Sequence, residues 1–283
     1  MKCLVTGAKG QLGRALTEEL GRRGIPTVAT DIDSLNLTDA EAVEAFVVAE
    51  KPDVILHCAG YTAVDKAESE PEVCIAANAG ASLNLARAAL CTGAAMLLVS
   101  SDYVFSGEGD MPWETEDRRE PLNVYGVSKV QAEEAVRSLL TRCWVVRTSW
   151  MFAAHGHNFV RTMLRLGRER HETPVVCDQI GSPTYAPDLA AFLCDLIQTQ
   201  RYGFYHATNE GFCSWAEFAQ KIFDESGLSC SVVPVPSAVY PAAARRPLNS
   251  RLSKASLDRN GFARLPSWQD GLKRCLEEIG RKA

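Results

Sequence analysis

Short apolar runs alternate with amphipathic stretches along the first half of the chain. The runs predict strands at Cys3–Thr6, Thr27–Asp31, Val54–Cys58, Met96–Ser100 and Trp144–Thr148, with further short strands at Val175–Cys177 and Phe204–Ala207. Apolar positions at helical spacing predict helices at Gln11–Arg23, Ala40–Glu50, Cys74–Cys91, Tyr125–Leu140, Asn158–Glu169, Leu189–Gln198 and Trp215–Ser226. Strands that alternate with helices are typical of βαβ units, so the pattern predicts an α/β fold with a doubly wound parallel sheet.

The pattern loosens after about residue 151, where the strands shorten and prolines cluster between Pro234 and Pro247. Ser214 and Glu217 have the spacing of a capping box at the start of the last predicted helix. We therefore expect a first domain over residues 1–150 and a smaller mixed α/β region over residues 151–283. Segments around residues 173–207 are candidates to return to the first domain.

Composition narrows the classes of function. The 283 residues are 46% hydrophobic and 23% charged, and 30 Lys and Arg against 35 Asp and Glu give a net charge of −5. This is an ordinary globular composition, and the negative charge argues against a nucleic-acid or anionic-membrane partner. The N-terminus lacks the apolar run of a secretion signal, and uninterrupted apolar runs fall short of a membrane span, so a cytoplasmic protein is expected.

Cysteine and histidine positions do not indicate a metal site. The ten cysteines are scattered singly without a Cys-x-x-Cys pair, which fits neither a zinc framework nor a disulfide scaffold. His155 and His157 flank Gly156, but no third ligand at helical or hairpin spacing accompanies them. We therefore expect no resident metal ion.

A glycine-rich turn, Gly7-x-x-Gly10-x-x-Gly13, joins the first predicted strand to the first helix. Glycines at such a turn let the backbone approach a pyrophosphate, and the helix N-terminus supplies free N–H groups. Asp31 ends the second predicted strand, eighteen residues past Gly13, where a carboxylate accepts hydrogen bonds from the adenosine ribose. The pattern predicts a Rossmann-like dinucleotide-binding domain; a generic strand–helix turn with a capping aspartate is the alternative.

The carboxylate at Asp31 also bears on which dinucleotide binds. It would repel the 2′-phosphate of NADPH, so NADH is expected to bind well, although Lys9 partly offsets the repulsion. Both NADH and NADPH stay possible cofactors.

Tyr125 and Lys129 lie four positions apart in a predicted helix and therefore on one face of it. A phenol that exchanges a proton near neutral pH needs a nearby cation, because its ordinary pKa is about 10. Ser101 ends the fourth predicted strand, where a hydroxyl can hydrogen-bond a substrate carbonyl. Together the three side chains fit carbonyl reduction; taken alone, the Tyr–Lys pair also fits a half-buried tyrosine beside a solvated lysine.

Five longer stretches extend this pattern over nearly the whole chain. They are Thr62–Glu68, Ser101–Phe105, Pro121–Gly126, Arg147–Trp150 and Arg246–Leu252. At these residues the chain resembles the extended short-chain dehydrogenase/reductases and, within them, the dTDP-4-dehydrorhamnose reductase family. The resemblance implies NAD(P)H-dependent reduction of the C4 keto group of dTDP-6-deoxy-L-lyxo-4-hexulose to dTDP-L-rhamnose. It also implies that residues 151–283 mainly bind this substrate.

The same resemblance implies roles for individual residues. Tyr125 would donate the proton, Ser101 would orient the keto oxygen in place of the usual Thr, and Lys129 would lower the phenol pKa and hold the nicotinamide ribose. The implied cofactor groove is lined by Gly10, Gln11 and Leu12 at the pyrophosphate, Asn36 and Leu37 at the adenine, and Ala59, Gly60 and Tyr61 after the third strand. Asp102 and Trp150 would contact the sugar, although Trp150 also fits an aromatic packed between the domains.

Two arginines near a proline turn, Arg246 and Arg251, are our own candidates for the substrate diphosphate, because paired guanidiniums suit bidentate phosphate binding. Solvated loop arginines are the alternative. Some members of the family form dimers through Mg²⁺ held by acidic side chains, one of them in the first helix. Ala15 occupies that position here, so a monomer or a homodimer without this metal bridge is expected.

Two further functions stay open from the sequence. One is a non-catalytic dinucleotide-binding subunit, like the regulatory subunit of methionine adenosyltransferase. The other is a nucleotide-sugar epimerase or dehydratase, which would keep its nicotinamide bound and return the hydride within one turnover. Intact Ser101, Tyr125 and Lys129 favour the reductase over the regulatory subunit.

Overall fold

The computed structural model describes residues 1–282. The strands in chain order are β1 (Cys3–Thr6), β2 (Thr27–Thr30), β3 (Val54–His57), β4 (Ala95–Ser101), β5 (Cys143–Thr148), β6 (Met151–Phe152), β7 (Glu172–Val176), β8 (Ile180–Gly181), β9 (Thr184–Tyr185), β10 (Gly203–His206), β11 (Cys213–Ser214), β12 (Ser231–Val235) and β13 (Asn249–Ser250). The α-helices are α1 (Gln11–Arg22), α2 (Ala40–Glu50), α3 (Val64–Ala67), α4 (Pro71–Ile75), α5 (Ala81–Thr92), α6 (Val124–Leu139), α7 (Phe159–Glu169), α8 (Ala186–Leu196), α9 (Trp215–Glu225), α10 (Ala255–Arg259) and α11 (Trp268–Lys282).

Six parallel strands form the central sheet in the order β2-β1-β3-β4-β5-β10. Their side chains are buried on both faces along β1, β3 and β5, as expected for a parallel sheet covered by helices. The strand order reverses between β1 and β3, and ligands of open α/β sheets bind at the carboxyl ends of the strands beside such a reversal. The predicted strands of this sheet are confirmed to within one or two residues at each end.

Two hydrophobic cores, one on each face, hold helices against the sheet. On one face α1 packs against α8, with Leu16, Leu20 and Leu193 fully buried. On the other face α2, α5 and α6 pack together over Val43 and Leu85. Helices on both faces of a parallel sheet confirm the predicted doubly wound α/β class.

Residues Pro71–Thr92 form one continuous helical run of 22 residues, in which a π-helical turn at Ala76–Gly80 separates α4 from α5. By length and composition this run is apolar enough to cross a membrane. Half of its most apolar window is buried inside the fold, where α5 contacts α2 and α6. The run therefore packs as a core helix of the α/β domain.

The later part of the chain divides between two places. β10 and α8 return to the central sheet, whereas the predicted strand at Val175–Cys177 lies in β7 and pairs with β12 outside it. Two small sheets, β11-β8-β13 and β6-β9, complete this second region. A separate core that includes Phe152, Phe218 and Trp268 supports them.

Candidate active site

A cleft of about 880 Å³ opens at the carboxyl ends of β1 to β5. Most of the residues that the sequence predicts for cofactor and substrate line it together: Gly7, Gly10, Gln11, Leu12, Gly13, Asp31, Asn36, Leu37, Ala59, Gly60, Tyr61, Ser101, Asp102, Tyr125, Lys129 and Trp150. The fold brings the glycine turn, the third-strand loop and the Ser–Tyr–Lys set to one cavity because parallel strands present their carboxyl ends at a common edge.

The glycine turn has the shape that a dinucleotide pyrophosphate requires. Gly7 has a φ of +66°, and a Cβ there would lie 2.7 Å from the Cα of Ala59. A Cβ on Gly13 would lie 2.7 Å from the Cα of Ala8. Gly10 precedes α1 without a side-chain cap, so the first N–H groups of this helix stay available to an anion. These residues fit a bound nicotinamide dinucleotide.

Asp31 stands at the end of β2 with its carboxylate held by the backbone. Its Oδ2 accepts the N–H of Lys9 at 2.8 Å and its Oδ1 accepts the N–H of Ile32 at 2.8 Å. The Lys9 ammonium pairs with Asp33 at 2.5 Å, which raises the pKa of Lys9. The positive charge expected to offset Asp31 therefore has a carboxylate partner of its own.

The loop after β3 is tied to the helix that carries Tyr125. Asn78 is 1% exposed in the π-helical turn, and its Oδ1 accepts the N–H of Tyr61 at 2.7 Å. Its Nδ2 donates to the carbonyl of Tyr61 at 3.2 Å and to Ser128 Oγ at 2.8 Å. The sequence does not single out Asn78, because a lone amide inside an apolar helical pattern carries no spacing signal.

The hydroxyl, phenol and ammonium groups converge where β4 meets α6. Ser101 Oγ donates to Asp102 Oδ1 at 2.8 Å, and the Tyr125 ring packs edge-on against Tyr103 with centroids 5.4 Å apart. Lys129 is 6% exposed, and its Nζ donates to the carbonyl of Val99 at 2.6 Å. Asn123 caps α6 by accepting the N–H of Gly126 at 2.8 Å, so Tyr125 lies in the first turn of the helix.

Burial is the main influence on the pKa values of Tyr125, Lys129 and Asp102. It raises the pKa of the Tyr125 phenol well above its usual value, with Asp102 acting the same way and Ser101 opposing both. The lowering of the phenol pKa predicted from Lys129 is not seen in this structure, where burial outweighs every other influence on Tyr125. Burial lowers the pKa of Lys129 to about 8, with Glu133 opposing it. Burial also raises the pKa of Asp102 to about 6, against nearby hydroxyls of Ser250 and Ser101.

Two stacked aromatic side chains form one wall of the cleft. Trp150 follows β5 and lines the cleft, and its ring stacks on Trp215, which lines the cleft as well. The sequence predicts the Ser214–Glu217 capping box that starts α9, and the structure confirms it. It does not predict a site residue at Trp215, although this is the first residue after the cap.

Arg246 and Arg251 lie outside the lining of this cleft, as described for residues 1–282. Both terminal nitrogens of Arg246 contact Asp65, at 3.0 and 2.6 Å, and Arg251 donates to the Oδ1 of Asn249 at 3.0 Å. The diphosphate role of the two arginines stays a prediction, since internal acceptors engage both guanidiniums.

Ala15 is 6% exposed on the core face of α1. Residues 1–282 contain no group of three or more His, Cys, Asp or Glu placed to hold a metal ion.

Comparison with known proteins identifies the family. A family model described as the RmlD substrate binding domain matches residues 1–281. This chain belongs to that family. The dTDP-4-dehydrorhamnose reductase of Escherichia coli K12 is 40% identical over 294 residues, covering 99% of this chain and 98% of the relative. The spore coat polysaccharide biosynthesis protein SpsK of Bacillus subtilis is 37% identical and covers 98% of this chain and 97% of its own.

A solved member of the family has the same fold over its whole length. The dTDP-4-dehydrorhamnose reductase of Bacillus anthracis, in complex with NADP, superposes with a TM-score of 0.96 at 42% identity, covering 98% of this chain and 99% of the other. The Rossmann-like class and the family expected from the sequence are therefore confirmed.

Proposed function

We propose that this chain reduces the C4 keto group of dTDP-6-deoxy-L-lyxo-4-hexulose to the alcohol of dTDP-L-rhamnose. The observation that carries the proposal is the convergence of Ser101, Tyr125 and Lys129 in the cleft that the glycine turn lines. Membership of the RmlD family and the names of its relatives support the substrate. The intact hydroxyl, phenol and ammonium support catalysis over a regulatory role.

Each of the three side chains has a role that follows from its surroundings. Ser101 Oγ, which donates to Asp102 in this structure, turns its single proton to the keto oxygen when the substrate binds and orients that oxygen toward Tyr125. The phenol gives its proton to that oxygen, and a raised pKa suits this task because the proton stays on the phenol until the oxygen becomes basic. Lys129, held by the Val99 carbonyl, holds the nicotinamide ribose and supplies a positive charge in the cleft that Tyr125 lines.

A nicotinamide dinucleotide fits the cleft, and when bound in its reduced form it supplies the hydride. Gly7, Gly10 and Gly13 would bind the pyrophosphate, and the Asp31 carboxylate would accept the adenosine ribose hydroxyls. We expect NADH to bind well, since a 2′-phosphate would meet the Asp31 charge while Lys9 is paired with Asp33. NADPH stays a possible second cofactor, because the Bacillus anthracis relative was solved with NADP.

Domain roles and assembly follow the same proposal. Residues 1–150, with β10 and α8, bind the cofactor, and the rest of residues 151–283 bind the dTDP-sugar. The protein acts as a monomer or a homodimer without a metal bridge through α1, because Ala15 offers no ligand atom and packs in the core. A cytoplasmic location also stays a prediction.

The test is NADH oxidation at 340 nm with the 4-keto sugar made in situ, followed by product analysis. The reaction consumes one ketone, one NADH and one proton and yields one alcohol and one NAD⁺. We expect Tyr125→Phe to lose a factor of about 10²–10⁴ in kcat while it still binds NADH, since it removes only the proton donor. Tyr103→Phe, which removes the hydroxyl of the neighbouring tyrosine in the same cleft, is the matched control.

Three outcomes would count against the proposal. A folded wild type that binds NADH without turnover would favour the regulatory subunit. Conversion of the sugar without net NADH consumption would indicate an epimerase or dehydratase. Faster turnover with NADPH than with NADH would contradict the cofactor preference alone and leave the reaction standing.

A further inference from the structure

Trp150 has a backbone conformation that bulky residues rarely adopt. Its φ is +48°, in the left-handed region where the Cβ crowds the backbone. Such a conformation persists only where the surrounding structure holds it, and it often marks a functional site. Here β5 ends two residues before Trp150 and β6 begins directly after it, so the strained residue turns the chain at the wall of the cleft.

Two contacts fix the indole of Trp150. The ring of Trp215 stacks on it nearly parallel, with centroids 3.7 Å apart and an angle of 12° between the planes. The backbone of Gly181 lies against the same indole, so that a Cβ at this position would be 2.7 Å from Cε2 and 3.0 Å from Nε1. The indole therefore occupies a slot formed by one aromatic ring and one residue that must lack a side chain.

The two sides of this slot are fixed to one another. β11 pairs with β8 so that Cys213 lies opposite Gly181, and the chain enters α9 at Trp215 two residues later. The capping box of Ser214 sets the start of α9. Phe159 also packs against Trp215, with the two ring centroids 4.5 Å apart. Neither side of the slot is free to move away from the indole without unpairing a strand or uncapping a helix.

We infer that Trp215 is a positioning residue of the sugar site, acting through Trp150. This inference rests on the proposed function. A 6-deoxy sugar presents C–H groups and a methyl group, which pack against aromatic side chains. Because Trp215 and Gly181 occupy the two sides of the indole, the sugar ring meets the part of the indole that lines the cleft, and this part is held in a fixed position. The C4 keto group is thereby held toward Ser101 and Tyr125.

The experiment compares Trp215→Ala with Trp215→Phe, which keeps a stacking ring. Calorimetry measures the Kd of dTDP-L-rhamnose and of dTDP alone, and steady-state kinetics measure KM and kcat. We expect Trp215→Ala to raise both the Kd of dTDP-L-rhamnose and KM about tenfold, the size of one lost aromatic contact. The Kd of dTDP and of NADH should stay within about twofold, and Trp215→Phe should restore most of the loss.

Gly181→Ala approaches the same slot from the other side and guards against misfolding of the tryptophan variant. This variant should also weaken the binding of dTDP-L-rhamnose and leave the binding of dTDP unchanged, because its new methyl group displaces the indole. Trp113→Phe, in a ring pair with Phe105 away from the cleft, is the control for loss of a tryptophan. NADH binding shows that each variant is folded.

The outcomes separate the inference from the function on which it rests. An equal loss for dTDP and dTDP-L-rhamnose in Trp215→Ala, or no loss for either, would overturn the inference while wild-type turnover upholds the function. A wild type that binds dTDP-L-rhamnose no differently from an unrelated nucleotide sugar, and turns over no ketone, would overturn both.

Discussion

The two sides of the cleft differ in how far apart their residues lie along the chain. Most of the cofactor side comes from the first strand–helix–strand unit, which carries the glycine turn and leads into Asp31, and the loop after β3 completes it. The sugar side comes from three separate segments that bring Trp150, Gly181 and Trp215 together. The cofactor side is therefore built mainly from a short stretch of the chain, whereas the sugar side depends on small sheets of two and three strands.

This difference has a functional meaning. A dinucleotide is the same for many reactions, so one local unit can bind it on any chain that folds into this sheet. A particular sugar needs a wall of particular shape, and that wall depends on residues supplied by the later, less regular part of the chain. Substitutions on the two sides should therefore fail in different ways, and three pairs of variants measure that difference.

The largest contrast is expected from two buried lysines, of which one lines the cleft and the other does not. Burial lowers the pKa of both Lys129 and Lys254 to about 8. Lys254 is 5% exposed, donates to Ser182 at 3.3 Å and lies over the ring of Phe212. Lys129→Met should lower kcat/KM by about 10²-fold or more, because it removes the charge beside Tyr125. Lys254→Met should stay within about threefold, because Lys254 does not line the cleft.

The measurement is NADH oxidation over a range of sugar concentrations, which gives kcat/KM, with thermal melting to confirm that each variant folds. A Lys254→Met variant as inactive as Lys129→Met would contradict the division between catalytic and supporting regions. A Lys129→Met variant with wild-type turnover would remove the lysine from the proposed mechanism.

The same division explains what could be predicted from the sequence. Strands β1 to β5 and the helices α1, α2, α5 and α6 follow from local apolar periodicity. The glycine turn and the Tyr125–Lys129 pair follow from local spacing. Trp215 and Gly181 do not, since their roles arise from the pairing of β8 with β11. The C-terminal helix α11 was not predicted either, although its apolar face packs into the separate core that includes Phe152 and Phe218.

Spacing alone was also insufficient for the chemistry. Tyr125 and Lys129 share a helix face as predicted, but the phenol pKa is governed by its burial and by Asp102. Burial is a property of the whole fold, because it depends on β4, α6 and the loops that cover them. A sequence motif therefore identifies which groups meet, and the tertiary structure determines their protonation.

A smaller effect is expected from two glycines of the same helix. A Cβ at Gly13 would lie 2.7 Å from the Cα of Ala8, whereas a Cβ at Gly21 meets nothing within 4 Å. Gly13→Ala should lower the free energy of unfolding by roughly 2–3 kcal/mol and weaken NADH binding, because the backbone of the turn must shift to accommodate the new Cβ. Gly21→Ala should be neutral or stabilising by about 0.5–1 kcal/mol, since alanine favours helix. Urea denaturation and NADH titration measure both variants.

Equal stability losses for the two glycine variants would indicate a general sensitivity of α1 and contradict the close approach. Loss of dTDP-L-rhamnose binding by Gly13→Ala with NADH binding intact would contradict the assignment of this turn to the cofactor side.

The smallest effect concerns Asp102, which joins the two sides by its contacts with Ser101 of β4 and Ser250 of β13. Because its pKa is raised to about 6, the folded state binds this proton more tightly than the unfolded state does. The contribution of Asp102 to stability is therefore highest below about pH 4 and is lost as the pH rises through 6. Asp102→Asn carries no such charge, so its stability relative to wild type should increase by about 2 kcal/mol between pH 4 and pH 7.

Urea denaturation of both proteins at pH 4, 5, 6 and 7 measures this relative stability. Ser250→Ala is the matched control, because it removes a hydroxyl that lowers the pKa of Asp102. In this variant the pKa of Asp102 should rise further, so the stability that Asp102 contributes should continue to fall to a higher pH than it does in the wild type. A difference between Asp102→Asn and wild type that stays constant with pH would show that the carboxyl is not titrating in this range. The junction between the two sides would then be held by Asp102 in a single protonation state over this pH range.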